Sequence, residues 1–141
     1  MSLVYWDSML FVYYFEGHAE FGPCVSHVLD RMEARGDTLC TSVFTAGEVL
    51  AGLQRAGATD LARQVEDFFH SSDLRILDFR LSTASRYAKI RSELRVSPAG
   101  AIHLATASEA GADLFLTHDQ RLKGKIVAGI QFIAGLDTDI L

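Results

Sequence analysis

The chain has 141 residues, with 13 Lys plus Arg against 18 Asp plus Glu, a formal net charge of −5. Hydrophobic residues make up 49%, charged residues 22%, and Pro occurs only twice. That composition excludes a disordered chain and a wholly basic nucleic-acid binder, and it suits one domain spanning residues 1–141 with a full core. No stretch reaches the roughly 18 apolar residues of a membrane span. The apolar N-terminus, Leu3 to Phe15, is broken by Asp7 and has no basic residue ahead of it, unlike a signal peptide. Cys24 and Cys40 are too few for a disulfide scaffold and read as buried free thiols. The chain also lacks Asn, and with it any N-glycosylation acceptor. A cytoplasmic protein is expected.

In chain order, Leu3 to Trp6 reads as a strand stopped by Asp7 and Ser8. Residues 8–16 and 19–35 read as helices, the second closed by Gly36. Thr38 to Val43 is β-branched and reads as the second strand. Helices follow at Thr45–Ala56 and Thr59–His70, the latter with Leu61, Val65, Phe68 and Phe69 on one face. Leu74–Leu77 is the third strand. Ser82–Leu94 and Ser97–Ala110 are helices, the last ended by Gly111. Leu114–Leu116 and Ile130–Ile133 complete the strands. Alternating strands and helices predict an α/β fold of three layers, with a central, mainly parallel sheet of about five strands. Ligands in such folds lie outside the carboxyl ends of the strands.

Three acids fall at that edge. Asp7 follows the first strand, Glu48 lies in the first turn after the second, and Asp119 follows the fourth. Like charges repel by about 4 kcal/mol per pair at about 4 Å and an effective dielectric of about 20. The three either take up protons or hold a cation. Oxygen-only ligands favour Mg²⁺ or Mn²⁺. Taken singly, Asp7 reads as a helix cap and Asp119 as a turn opener. Sequence signatures of nucleotide loops, zinc proteases and serine nucleophile elbows are missing. A phosphorylated receiver domain lacks its acid pair at the first strand. His103, on an apolar helix, reads as a satisfied buried group. His118 reads as a solvated loop residue, with substrate contact as the alternative.

Four segments in order resemble the PIN domain family, most of all its VapC-type toxin ribonucleases. They are Val4-Tyr5-Trp6-Asp7-Ser8, Thr45-Ala46-Gly47-Glu48-Val49, Ser97 to Ala107, and Leu116-Thr117-His118-Asp119-Gln120-Arg121-Leu122. The resemblance implies a Mg²⁺- or Mn²⁺-dependent endoribonuclease. Asp7 and Asp119 would be the principal metal ligands. Glu48 would bind metal directly or through water, or orient the nucleophile. Thr117 would hold a carboxylate or phosphate oxygen. The resemblance also implies a small VapB-like antitoxin, inserting a basic residue among the acids, and a two-fold homodimer.

The third segment departs from the family. It carries Gly100 where the family has an acid. Ser97 suits an N-cap and Pro98 the first helical position, so Gly100 falls at N3, where an acid serves the helix better. Two readings follow: a nuclease impaired by that loss, or a degenerate module that binds antitoxin or RNA without cutting. Six of the 14 aromatics lie in the first 15 residues, serving the core or a partner-facing helix. Residues 80–125 hold eight bases against four acids, a net +4, while the rest is −9. If RNA is the substrate, the bases of the 86–95 helix and the 121–125 turn should border the carboxylates.

Overall fold

The computed structural model describes residues 1–71, 73–137 and 141. Eleven elements alternate as the sequence predicts: β1 (Leu3–Trp6), α1 (Ser8–Glu16), α2 (Phe21–Arg35), β2 (Thr38–Ser42), α3 (Val43–Arg55), α4 (Thr59–Phe69), β3 (Leu74–Leu77), α5 (Leu81–Glu93), α6 (Pro98–Ala110), β4 (Leu114–Leu116) and β5 (Phe132–Ala134). The strands form one sheet in the order β3-β2-β1-β4-β5, every neighbouring pair parallel.

Both faces of the sheet are covered, which is why its strands are nearly continuous apolar runs. Val4 and Trp6 of β1 pack under α1 to α4 with Leu10, Phe11, Val25, Val49 and Val65. Tyr5 points the other way, into the layer under α5 and α6, with Cys40, Leu104 and Phe115. Right-handed crossovers account for the split. The chain moves outward from β1 to β3 with its helices on one face. It then returns past β1 to β4 with α5 and α6 on the other.

The order of connections therefore reverses between β1 and β4. In open parallel sheets that switch point leaves a crevice outside the strand ends. Here the crevice opens beside Asp7 and Thr117, the residues that follow the two strands.

Several boundaries differ from the sequence reading for local reasons. Strand β2 stops at Ser42, whose Oγ caps α3 by accepting the Thr45 N–H at 3.0 Å. Helix α3 thus begins two residues early, and Glu48 lies in its second turn, not its first. Helix α2 begins at Phe21, because His18 Nδ1 accepts the Glu20 and Phe21 N–H groups. Strand β5 begins two residues late. Ile130 is a buried turn residue, its N–H bonded to Val127 O, and the ladder starts only beyond it. Gly36 and Gly111 close α2 and α6 in the left-handed region, at φ 74° and 70°. Of the two cysteines, Cys40 is buried and Cys24 is exposed, so the expectation of two buried thiols holds for one. Among the described residues no helix is long and apolar enough to cross a membrane.

Candidate active site

Asp7 stands at the N-cap position of α1, yet its side chain makes no capping bond. Its carboxylate turns instead across the crevice, where Oδ2 accepts the Thr117 hydroxyl. Thr117 is fully buried and Asp7 is 7% exposed. The other carboxylate oxygen, Oδ1, is buried without a hydrogen-bond partner. Burial pushes the Asp7 carboxyl above its ordinary value, against the opposing pull of the Thr117 bond, of His103 and of the Met9 N–H in the first turn of α1; the Asp119 charge pushes the same way as burial. A desolvated carboxylate oxygen that makes no hydrogen bond is a costly feature, and it marks this position as more than a helix cap.

Glu48 reaches the same edge from α3. Its Oε1 accepts both the Ser8 hydroxyl and, at 2.8 Å, His103 Nε2. On its far side His103 Nδ1 lies 2.8 Å from the Tyr5 hydroxyl. Burial raises the Tyr5 hydroxyl far above its ordinary value, so it stays protonated. His103 thus bridges the Tyr5 hydroxyl at Nδ1 and the Glu48 carboxylate at Nε2. Burial alone would raise the Glu48 carboxyl; the His103 and Ser8 bonds and the imidazole's attraction outweigh it and hold the carboxyl low. His103 is satisfied and 5% exposed, as the sequence suggests, but it is also the residue that orients a site acid. Nothing in one sequence signals a partnership across 55 residues, except that His103 lies three positions along the helix from Gly100.

Asp119 opens the turn after β4. Thr117 Oγ1 accepts its N–H, and Arg121 grips its carboxylate through Nε–Oδ1 at 3.0 Å and Nη2–Oδ2 at 3.1 Å. Arg121 holds the Asp119 carboxyl below the ordinary range. The three acids thus share an edge but face different partners: Thr117, His103 with Ser8, and Arg121. Among the described residues no three His, Cys, Asp or Glu groups stand together as they would around one ion.

Gly100 lies at N3 of α6, with its N–H donated to Ser97 Oγ at 3.0 Å. A Cβ at 100 would come within 3.2 Å of Ser97 Oγ and 3.4 Å of Leu122 Cδ2. Leu122, three residues past Asp119, packs where the missing side chain would start.

The expected basic border divides. Arg121 sits on Asp119. Arg86 bonds Ser108 Oγ at 2.8 Å, eight residues along α6 from Gly100, about 12 Å at the helical rise.

The donors around the crevice are oxygens, from Asp7, Glu48, Asp119, Ser8 and Thr117. Together with the unpartnered, buried Asp7 Oδ1, they fit a hard divalent cation better than a soft one.

The model of the PIN domain family matches residues 4–125. No curated protein matches the sequence. Among solved structures, VapBC2 from Rickettsia felis, bound to a DNA fragment from its promoter, superposes with a TM-score of 0.75 at 17% identity, over 94% of this chain and 98% of that one. A sarcin-ricin loop cleaving toxin of Mycobacterium tuberculosis, VapC20, superposes with a TM-score of 0.65 at 14% identity, over 79% and 86% of the two chains. FitAcB from Neisseria gonorrhoeae gives 0.64 at 20%, over 84% and 88%. At these identities the likeness is one of fold.

Proposed function

Because the chain belongs to the PIN domain family, we propose that it is a divalent-metal-dependent endoribonuclease of the VapC toxin type, acting in the cytoplasm. The observation that carries this reading is Asp7 Oδ1, a buried carboxylate oxygen left without a protein partner at the switch point of the sheet. Asp7, Glu48 and Asp119 would hold Mg²⁺ or Mn²⁺, with Glu48 offering Oε2, the oxygen that neither Ser8 nor His103 takes. Bound there, the ion supplies positive charge that acidifies an attacking water and offsets charge on the leaving oxygen.

The chain's own residues do the rest. Thr117 fixes Asp7 by donating to Oδ2, which leaves the buried Oδ1 as the oxygen without a partner. His103, oriented by Tyr5, keeps Glu48 ionised and in place. Arg121 is 75% exposed on its side chain and can leave Asp119 for a substrate phosphate.

A small antitoxin and a second copy of the chain are the proposed protein partners. A groove of about 630 Å³ between α1 and α3 is lined by Met9, Val12 and Phe44 together with Ser8, Glu48 and Arg55. An apolar antitoxin segment laid there would bring a basic side chain to the acids.

Gly100 and the Arg121 grip on Asp119 favour a second reading, a degenerate module that binds RNA or antitoxin without cutting. One experiment separates the two. The full chain is incubated with a long structured RNA in Mn²⁺ or EDTA, beside Asp7→Ala. Cleavage that needs the metal and disappears in the variant supports the nuclease. Binding without cleavage across several RNAs supports the module.

A further inference from the structure

A row of rings runs from the turn between α1 and α2 to His118, and the core accounts for only part of it: Tyr13 belongs to the core, Phe21 packs against it, and the two histidines extend beyond. Helix α1 ends at Gly17 in the left-handed region, φ 61°, and the chain turns back through His18 into α2. The two helices meet closely there: a Cβ on Gly22 would come within 3.3 Å of Gly17 C and Tyr13 O. The His18 ring is locked, because its Nδ1 accepts the N–H groups of Glu20 and Phe21 at 3.2 and 3.0 Å. Phe21 follows, its ring stacked on His18 with centroids 5.1 Å apart and planes at 25°. On its other side lies His118, 4.3 Å from the Phe21 centroid. Tyr13 is the floor, with centroids 5.0, 5.1 and 5.5 Å from His18, Phe21 and His118.

The floor is buried, while His18 is exposed and Phe21 and His118 are half-buried. The row therefore closes the core on its inner side through Tyr13 and Phe21, and leaves ring surface to water on its outer side. Its inner end is fixed to the site by the chain itself. His118 stands between Thr117, which holds Asp7, and Asp119. The charge of Asp7 also reaches the floor of the row, where, after burial, it helps to raise the Tyr13 hydroxyl above its ordinary value. Arg121, exposed and bonded to Asp119, puts a cation on the same turn as His118.

Aromatic faces interleaved with a cation are what single-stranded nucleic acid uses, because every base has a π-face and every link a phosphate. Phe and His rings both stack on unpaired RNA bases. We propose that His18, Phe21 and His118 form a base-stacking platform for an unpaired nucleotide next to the phosphodiester held at Asp7 and Asp119. Such a platform takes only a base that is free of a continuous duplex. This inference rests on the nuclease reading for its placement, and its test is independent of cleavage.

The test is fluorescence anisotropy in EDTA on the full chain. The probes are a labelled 20-residue single-stranded oligoribonucleotide of mixed sequence, its duplex, and an abasic strand of equal length and charge. Stacking is worth about fivefold to a hundredfold per base. Wild type should bind the base-bearing strand at least about tenfold tighter than the abasic strand or the duplex. Phe21→Leu and His118→Ala should each remove most of that preference, and Phe21→Trp should keep it. Circular dichroism checks that each variant folds; His118→Ala, in a half-buried loop position, carries the test if Phe21→Leu does not fold. Equal binding of the two single strands overturns the proposal. So does an unchanged preference in folded His118→Ala, which would leave the rings to packing or to a protein partner. If Mn²⁺ yields no cleavage but the base preference stands, the nuclease reading fails and the platform survives. If cleavage stands without base preference, the platform alone fails.

Discussion

The two ends of strand β1 carry the same chemistry put to opposite uses. At the amino end, Asp37 and Asp113 flank the strand from the neighbouring connections. Asp37 accepts the Ser2 N–H at 2.7 Å and Arg35 Nε at 2.9 Å. Asp113 accepts the Leu3 N–H at 2.7 Å. Each carboxylate there is spent on backbone that needs an acceptor. At the carboxyl end, Asp7 and Asp119 flank the same strand system, and Asp7 keeps one buried oxygen unmatched. Aspartate at a strand end is therefore not itself a sign of function. The sign is a buried oxygen that the fold leaves unsatisfied, at the edge where the crossovers diverge.

The largest effect should come from Asp7→Asn. Loss of the open carboxylate should cut metal-dependent cleavage by about 100-fold or more, measured by initial rates on a long RNA. The same change should stabilise the fold. A carboxyl whose folded pKa lies above its unfolded value binds the extra proton in the folded state, so stability is lost as pH rises from the ordinary carboxylate range through the folded value. At pH 7 the buried charge is a net cost, and Asn, which removes the charge, should raise the melting temperature. Thermal melts at pH 7 check this. Mn²⁺ should raise the wild-type Tm and leave the Asn variant unmoved.

Asp113→Ala should do the reverse. It strands the Leu3 N–H and should cost about 1–3 kcal/mol, lowering Tm by several degrees. Mn²⁺ affinity by calorimetry should stay at the wild-type value. A change in affinity there would mean that the two ends are not functionally separate. Arg121→Ala is milder. Exposed ion pairs contribute little, so releasing Asp119 should tighten Mn²⁺ binding by at most about fivefold.

These contrasts mark what a single sequence carries. The strands were legible because doubly covered parallel strands are short apolar runs, and the helices because Gly36 and Gly111 end them where the pattern stops. The edge that holds Asp7, Glu48 and Asp119 follows from strand alternation alone. Their partners do not. His103 meets Glu48 across 55 residues, and Thr117 meets Asp7 across 110, through a sheet order that no local pattern encodes. The His18 cap and the Arg121 fork are local, within three residues, yet both depend on side-chain rotamers that spacing leaves open. Ile130 fits a strand by composition and is a buried turn by tertiary packing, which is why β5 begins two residues late.

Gly100 is the position where the two ends of the comparison can be sharpened most finely. Replacing it with Asp restores an acid to the N3 position of α6, one turn before His103, and favours the helix by propensity and dipole. Against that, a Cβ comes within 3.2 Å of Ser97 Oγ, so the capping hydroxyl must give by a few tenths of an ångström, while Leu122 Cδ2 at 3.4 Å is at ordinary contact. Ser97 Oγ also accepts the residue-100 N–H, so its shift weakens the cap by part of what the acid gains. The opposing effects leave the fold near its original stability. They also hold the gain in Mn²⁺ affinity to about two- or threefold, because one more carboxylate adds charge to the site from a position crowded by Ser97 and Leu122. Isothermal titration of Gly100→Asp should show that gain, with a parallel rise in RNA cleavage. Unchanged affinity would mean that no acid is missed at 100, and that Asp7, Glu48 and Asp119 make up the whole acidic complement of the crevice.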